Sequence, residues 1–155
     1  MTDVIVIGGG ASGMIAALTA AENGRSVVLL ERQSRVGRKL LATGNGRCNL
    51  TNYNVSPARY HGEDSGFCAH ALRAFDTGTT LQYFAALGLL TVSEDSGRVY
   101  PMSNMAGSVL DVLRYALDQA RAMGFGIVCL HGHADYYPRF GFRPAREYGV
   151  SDGYG

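Results

Sequence analysis

At 155 residues the chain is long enough for one domain with a hydrophobic core, and a formal charge of +1 gives no electrostatic case for nucleic acid as a partner. A hydrophobic fraction of 46% places it among globular proteins, and its three cysteines (Cys48, Cys68, Cys129), odd in number and without a C-x-x-C pair, argue for a reducing, cytoplasmic setting and against a structural metal. The apolar stretch from Val4 to Ala21 is preceded by Asp3 and interrupted by glycines, which argues against a signal peptide, and no other run is long enough to span a bilayer, so no membrane is expected.

The chain opens on Val4-Ile5-Val6-Ile7, a β-branched run that predicts a strand buried on both faces of a parallel sheet. Gly8-Gly9-Gly10-Ala11-Ser12-Gly13 follows directly. Met14, Ile15, Leu18 and Ala21 then recur at helical spacing, Asn23-Gly24 marks a helix end, and Val27 to Leu30 is a second buried run closed by Glu31. In Gly8-x-Gly10-x-x-Gly13 the first glycine permits a tight turn and the second lets backbone approach a pyrophosphate. The third lets helix and strand pack closely. A pyrophosphate there would meet free N–H groups and the positive end of the helix dipole. Glu31 stands where a carboxylate accepts hydrogen bonds from a pair of ribose hydroxyls. On this reading Gly10→Val abolishes dinucleotide binding, while Gly9→Ala, at a variable letter of the motif, is milder.

Arg32 to Leu41 carries four cationic side chains, Arg32, Arg35, Arg38 and Lys39, placed directly after the ribose acid and within reach of a dinucleotide's phosphates and adenosine. Ala42 to Asn52 is rich in glycine, amide and hydroxyl groups, a composition suited to a surface loop or to backbone donors facing a ligand. Phe67 to Phe75 and Thr79 to Leu87 read as two short helices, the second stopping at Gly88. Thr91-Val92-Ser93 and Arg98-Val99-Tyr100 flank Glu94-Asp95-Ser96-Gly97, a hairpin signal. A long amphipathic helix is predicted from Ala106 to Met123, with Val109, Leu110, Leu113, Leu117 and Ala120 on one face, and Ile127 to Leu130 is a buried strand.

The N-terminal unit, the Glu31-Arg32 pair and above all the segment from Val36 to Asn52 (VGRKLLATGNGRCNLTN) resemble the BaiN-type family of NAD(P)/FAD-dependent oxidoreductases, which includes aminoacetone oxidase-like proteins. The resemblance covers about residues 2 to 128. It implies that FAD occupies the turn of Gly8, Gly10, Ala11, Ser12 and Gly13, with Glu31 on the adenosine ribose and Arg32, Arg38 and Lys39 beside the cofactor. It also implies that Thr43, Gly44, Asn45, Gly46, Arg47, Cys48 and Asn49 approach the flavin, with NAD(P)H as an electron donor. Cys48 belongs to this motif, yet without a resolving partner it reads as a packing residue.

Beyond Leu130 the composition changes. Four of the nine tyrosines fall in residues 136 to 155, and Tyr136-Tyr137-Pro138-Arg139-Phe140-Gly141-Phe142 resembles the closing strands of GNAT-type acetyltransferases. Arg121-x-x-Gly124-x-Gly126 matches the letters of that family's CoA turn, but a predicted helix precedes it and a strand follows, the reverse of what phosphate binding at a helix N-terminus requires. His131 and His133 lack a third ligand and read as surface histidines.

The expected architecture is α/β: a Rossmann-like FAD/NAD(P)-binding parallel sheet with a glycine-rich βαβ unit over residues 1 to 130, incomplete, followed by a tyrosine-rich, acetyltransferase-like tail over 131 to 155. The expected function is that of an FAD-binding oxidoreductase. This length has no room for a later segment returning to hold the isoalloxazine or for a substrate lobe, so the expectation is a truncated or fused form with weak or no turnover. The alternatives are a GNAT-like N-acetyltransferase fragment and a non-catalytic dinucleotide-binding product.

Overall fold

The computed structural model describes residues 2–64, 66–124 and 127–130. The described residues form two compact units, the first drawing on residues 2–38 and on those described from Leu117 onward, the second on those described within Lys39–Ala116.

In the first unit, β1 (Val4–Ile7), α1 (Ala11–Glu22) and β2 (Val27–Glu31) form the predicted βαβ unit, and β6 (Ile127–Leu130) adds a third strand in the order β1-β2-β6. All pairs are parallel, with Val4 opposite Val27, Val6 opposite Leu29 and Leu29 opposite Val128. Met14, Ala17, Leu18 and Ala21 are buried on α1, at the i, i+3, i+4, i+7 spacing of one helix face; Ala17 takes the place expected for Ile15, which is half-buried. Burying side chains such as Met14 and Leu29 stabilises the unit by about 1.5–3 kcal/mol each. The helix ends where Asn23-Gly24 predicts. Gly24, at φ +72, and Arg25 send their amides back to Ala21 and Ala20, the paired bonds of a Schellman cap.

The strand β1 departs from expectation. Ile5 and Ile7 are 54% and 81% exposed. By register they share a face with Val28 and Leu30, whereas Val6 and Leu29 share the face on which α1 starts. The sequence of a parallel strand is apolar on both sides because both sides ordinarily carry cover. Among the described residues the two faces are covered unequally: beside the exposed Ile5 and Ile7, Val28 and Leu30 are half-buried, whereas Val27 and Leu29 on the other face are buried.

The second unit holds a three-stranded antiparallel sheet, β3 (Thr51–Asn52), β5 (Arg98–Pro101) and β4 (Thr91–Ser93) in the order β3-β5-β4. The hairpin turn is the predicted one: Gly97, at φ +80, donates to the Glu94 carbonyl, and Glu94 donates to Arg98. The strand β3 was not legible in a glycine- and amide-rich stretch; its two residues are held by pairing with Val99 and Arg98. Both short helices exist, as α2 (Ala69–Ala74) and α3 (Thr77–Ala86). The latter starts two residues early because Asp76 caps it by accepting from the Thr79 amide at 2.8 Å. Gly88, at φ +89, stops the helix. The long helix α4 (Ala106–Ala122) buries Ala106, Val109, Leu110, Leu113 and Leu117, with Ala120 half-buried.

Candidate functional site

The glycine turn is built on the sheet. Gly8 leaves β1 at φ +98 and donates to the Leu30 carbonyl at 2.7 Å, a conformation open to glycine at little cost. A Cβ on Gly13 would stand 1.8 Å from the Gly8 carbonyl oxygen, so the start of α1 rests directly on the turn. Gly10 is the N-cap of α1; no side chain caps the helix, and a Cβ at Gly10 would meet nothing within 4 Å. The amides of Ala11, Ser12 and Gly13 fall in the first helical turn, where the helix itself offers them no acceptor. One open side of the turn thus carries backbone donors and the positive end of a helix dipole.

Gly9 faces the other way and is buried. Its amide donates to Glu31 Oε2 at 2.6 Å and its carbonyl accepts from the Gly37 amide at 2.7 Å. A Cβ there would lie 2.6 Å from Val36 Cγ1 and 3.1 Å from both Cβ and Oε2 of Glu31. Gly9, a variable letter of the motif for dinucleotide binding, is therefore constrained by the packing of the fold. The packing arises because the chain turns back after β2 and lays Val36-Gly37 over the glycine turn, a return that no periodicity announces.

Glu31 Oε1 accepts from the Gln33 amide at 2.7 Å, so each carboxylate oxygen has one backbone partner and spare lone pairs. Arg32, Arg38 and Lys39 are exposed, and Arg38 donates to Gln33 Oε1 at 2.8 Å.

In the second unit the Thr43–Asn49 stretch is a strained loop. Two short 3-10 turns meet at a kink over Thr43, Gly44 and Asn45, and positive φ values recur at Gly44 (+55), Asn45 (+56), Gly46 (+82) and Cys48 (+58). Gly44 has no room for a side chain, since a Cβ would stand 2.6 Å from the Asn49 amide nitrogen. Thr43 accepts at its carbonyl from the Cys48 amide at 3.0 Å, and its hydroxyl donates to the Leu40 carbonyl at 2.6 Å. Thr43, Asn45, Gly46 and Asn49 are exposed. Cys48 is buried, and desolvation pushes its thiol above the usual range, opposed by a hydrogen bond with Thr43, in keeping with a packing role. The Arg47 guanidinium is engaged on three sides: Nη2 donates to Glu94 Oε1 at 2.6 Å, Nε donates to Asn104 Oδ1, and its carbon lies 3.8 Å from the centre of the Tyr100 ring. Sequence reading missed this cluster because its members are brought together by the hairpin and by the turn ahead of α4.

Among the described residues no group of three or more His, Cys, Asp or Glu side chains is placed to hold a metal ion, and no helix is long and apolar enough to cross a membrane. His131, His133 and the acetyltransferase-like tail lie outside the described residues. Gly124 closes α4 at φ +86 ahead of β6, the reversed context that sets Arg121-x-x-Gly124 apart from a phosphate turn.

Residues 2–124 match the HI0933-like protein Rossmann domain. The chain belongs to this family. It is 48% identical over 119 residues to the 3-dehydro-bile acid delta(4,6)-reductase of Clostridium scindens, covering 76% of this chain and 29% of that protein. It is 33% identical over 111 residues to the ribosomal RNA dihydrouridine synthase of Escherichia coli, covering 72% of this chain and 28% of that one. The chain thus spans under a third of the length of these relatives. Among solved structures, Thermovibrio ammonificans THI4 superposes with a TM-score of 0.51 at 16% identity, over 84% of this chain and 38% of that one. The 3-ketosteroid-delta4-(5alpha)-dehydrogenase of Rhodococcus jostii RHA1 does so with a TM-score of 0.51 at 16% identity, over 81% and 37%. These likenesses support the Rossmann-like fold. The HI0933-like match agrees with the oxidoreductase resemblance of the N-terminal portion and gives the acetyltransferase alternative no support.

Proposed function

We propose that this chain binds FAD as the dinucleotide-binding part of a flavoprotein oxidoreductase that draws electrons from NAD(P)H. The observation that carries the reading is the pairing of an uncapped, open Gly10 side of the turn with a Glu31 carboxylate anchored to the same turn through Gly9. The amides around Gly8, Gly10, Ala11, Ser12 and Gly13 would hold the pyrophosphate, and the spare lone pairs of Glu31 the adenosine ribose. Arg32, Arg38 and Lys39 would add positive charge beside it. By the resemblance the Thr43–Asn49 loop, with Gly44, Asn45, Gly46, Arg47 and Cys48 between its ends, would approach the flavin. FAD, when bound, supplies the redox chemistry; the chain's own residues bind and orient. Two of the relatives carry a reductase and a synthase in their names, and the first supports reduction of an organic substrate as the reaction class.

Thermal unfolding with separate additions of FAD and acetyl-CoA tests the proposal. A ligand specific to the native state stabilises it by ~2.7 kcal/mol at about a hundred times its Kd. FAD is expected to raise the midpoint and acetyl-CoA to leave it unchanged. The opposite result would overturn the flavin reading.

A further inference from the structure

We infer that Arg47 is a positioning residue that fixes the Thr43–Asn49 loop from behind, and that the β4–β5 hairpin is therefore part of the cofactor-binding apparatus; this rests on the flavin reading of that loop. A basic residue inside a proposed cofactor loop would ordinarily be taken for a phosphate or flavin contact. Here the guanidinium is already committed. One donor meets Glu94 in the hairpin turn, another meets Asn104 ahead of α4, and the planar face lies over Tyr100 of β5. Three partners from three stretches of chain define the plane and the direction of the side chain, a fork-and-stack geometry that arginine supplies and lysine does not.

The loop needs such a restraint. Asn45 and Cys48 hold positive φ without being glycine, and Asn104, one of the three partners, is at φ +57 as well. Conformations of this kind persist only where surrounding contacts over-determine them. The Leu50 amide, just beyond the loop, donates to the Val99 carbonyl of β5 at 2.8 Å, so the same strand that stacks on Arg47 also fixes the loop's exit. With the side chain of Arg47 turned toward the hairpin, the exposed members Thr43, Asn45, Gly46 and Asn49 are left to face a ligand.

The test uses the full chain and the variants Arg47→Ala, Arg47→Lys, Glu94→Ala and the Arg47→Ala/Glu94→Ala double. Amide hydrogen exchange is followed without ligand, and affinities are measured for FAD and for ADP, which represents the adenosine half alone. Arg47→Ala is expected to speed exchange across residues 43–49 and to weaken FAD by about tenfold while leaving ADP and the β1 and β2 amides unchanged. Glu94→Ala should move both readouts in the same direction, and the double variant should be no worse than Arg47→Ala. Arg47→Lys should fall on the alanine side, because a point charge cannot serve both acceptors and the ring. Equal losses of FAD and ADP, unchanged exchange in the loop, or an FAD loss in Arg47→Ala that Glu94→Ala does not share would each overturn the inference. If the unaltered chain bound neither ligand, the flavin reading would fall, and the exchange measurement alone would decide the clamp.

Discussion

The Gly9 amide donates to Glu31 Oε2 at 2.6 Å, which ties the turn after β1 to the acid at the tip of β2 across 22 residues of sequence. The acid is thus a structural partner of the glycine turn before any ligand arrives, and its geometry is set by the fold. Positions 9 and 10 consequently answer to different constraints, one internal and one external.

Gly9→Ala is expected to destabilise the chain by about 1–3 kcal/mol, because its Cβ would overlap Val36 and crowd Glu31. Gly10→Ala should leave the melting temperature nearly unchanged and lower dinucleotide affinity, since only open space meets its Cβ. Denaturant titrations paired with ligand titrations of both variants separate the two effects. A Gly9→Ala chain as stable as the parent would contradict the packing described.

The same glycine-to-alanine change should have opposite signs at positions 13 and 107. At Gly13 the new carbon meets the Gly8 carbonyl, a backbone atom that cannot swing aside, and a loss of about 3 kcal/mol or more is expected. At Gly107, in the first turn of α4, nothing lies within 4 Å and φ is not positive, so alanine should stabilise by about 0.4–1 kcal/mol through the unfolded chain. Urea midpoints of the two variants, at unchanged slope, check the pair.

Cys48 should react slowly with a disulfide reagent in the native state. Burial raises its thiol above the ordinary value of 9.0, so thiolate is scarce at neutral pH and access is poor. Since the unfolded chain ionises first as pH rises, the linked stability is fully present below 9.0 and lost as pH climbs through the higher folded value. Comparison of native and denatured rates, with Cys48→Ala as control, provides the measurement; native reactivity equal to the denatured rate would refute it.

Asp76 gives a pH signature at the acid end. The Thr79 amide holds its carboxyl below the usual value of 3.8, so the folded state favours the charged form. Its contribution is present above 3.8 and fades as pH falls through the lower folded value. Asp76→Ala should therefore melt below the parent at neutral pH, with the gap narrowing in acid. A gap independent of pH would show that the cap acts without its charge.

Much of this was legible in the sequence where local chemistry decides. The β1–α1–β2 unit, the Gly97 hairpin turn and the ends of α1 and α3 follow from β-branched runs, helical spacing and glycines that adopt positive φ. The contacts that give the candidate site its shape were not. Val36 over Gly9, and Arg47 between Glu94, Asn104 and Tyr100, depend on chain returns over 27 to 57 residues that leave no periodic trace. Similarly, Asn45 and Cys48 in the loop and Asn104 beside Arg47 hold positive φ without being glycine, which composition alone did not reveal.

The uncovered isoleucines of β1 bear on how unfolding should be watched. Ile5 and Ile7 offer an apolar ledge on the native chain, and dyes that fluoresce on apolar surface will light up before any melting begins. Heating then has to be read above a bright baseline, and binding of dye to the ledge would itself favour the folded form. Tryptophan cannot serve instead, because the chain has none. Circular dichroism in the amide region, where α1 and α4 contribute, follows the transition without adding a probe that competes for the surface under study.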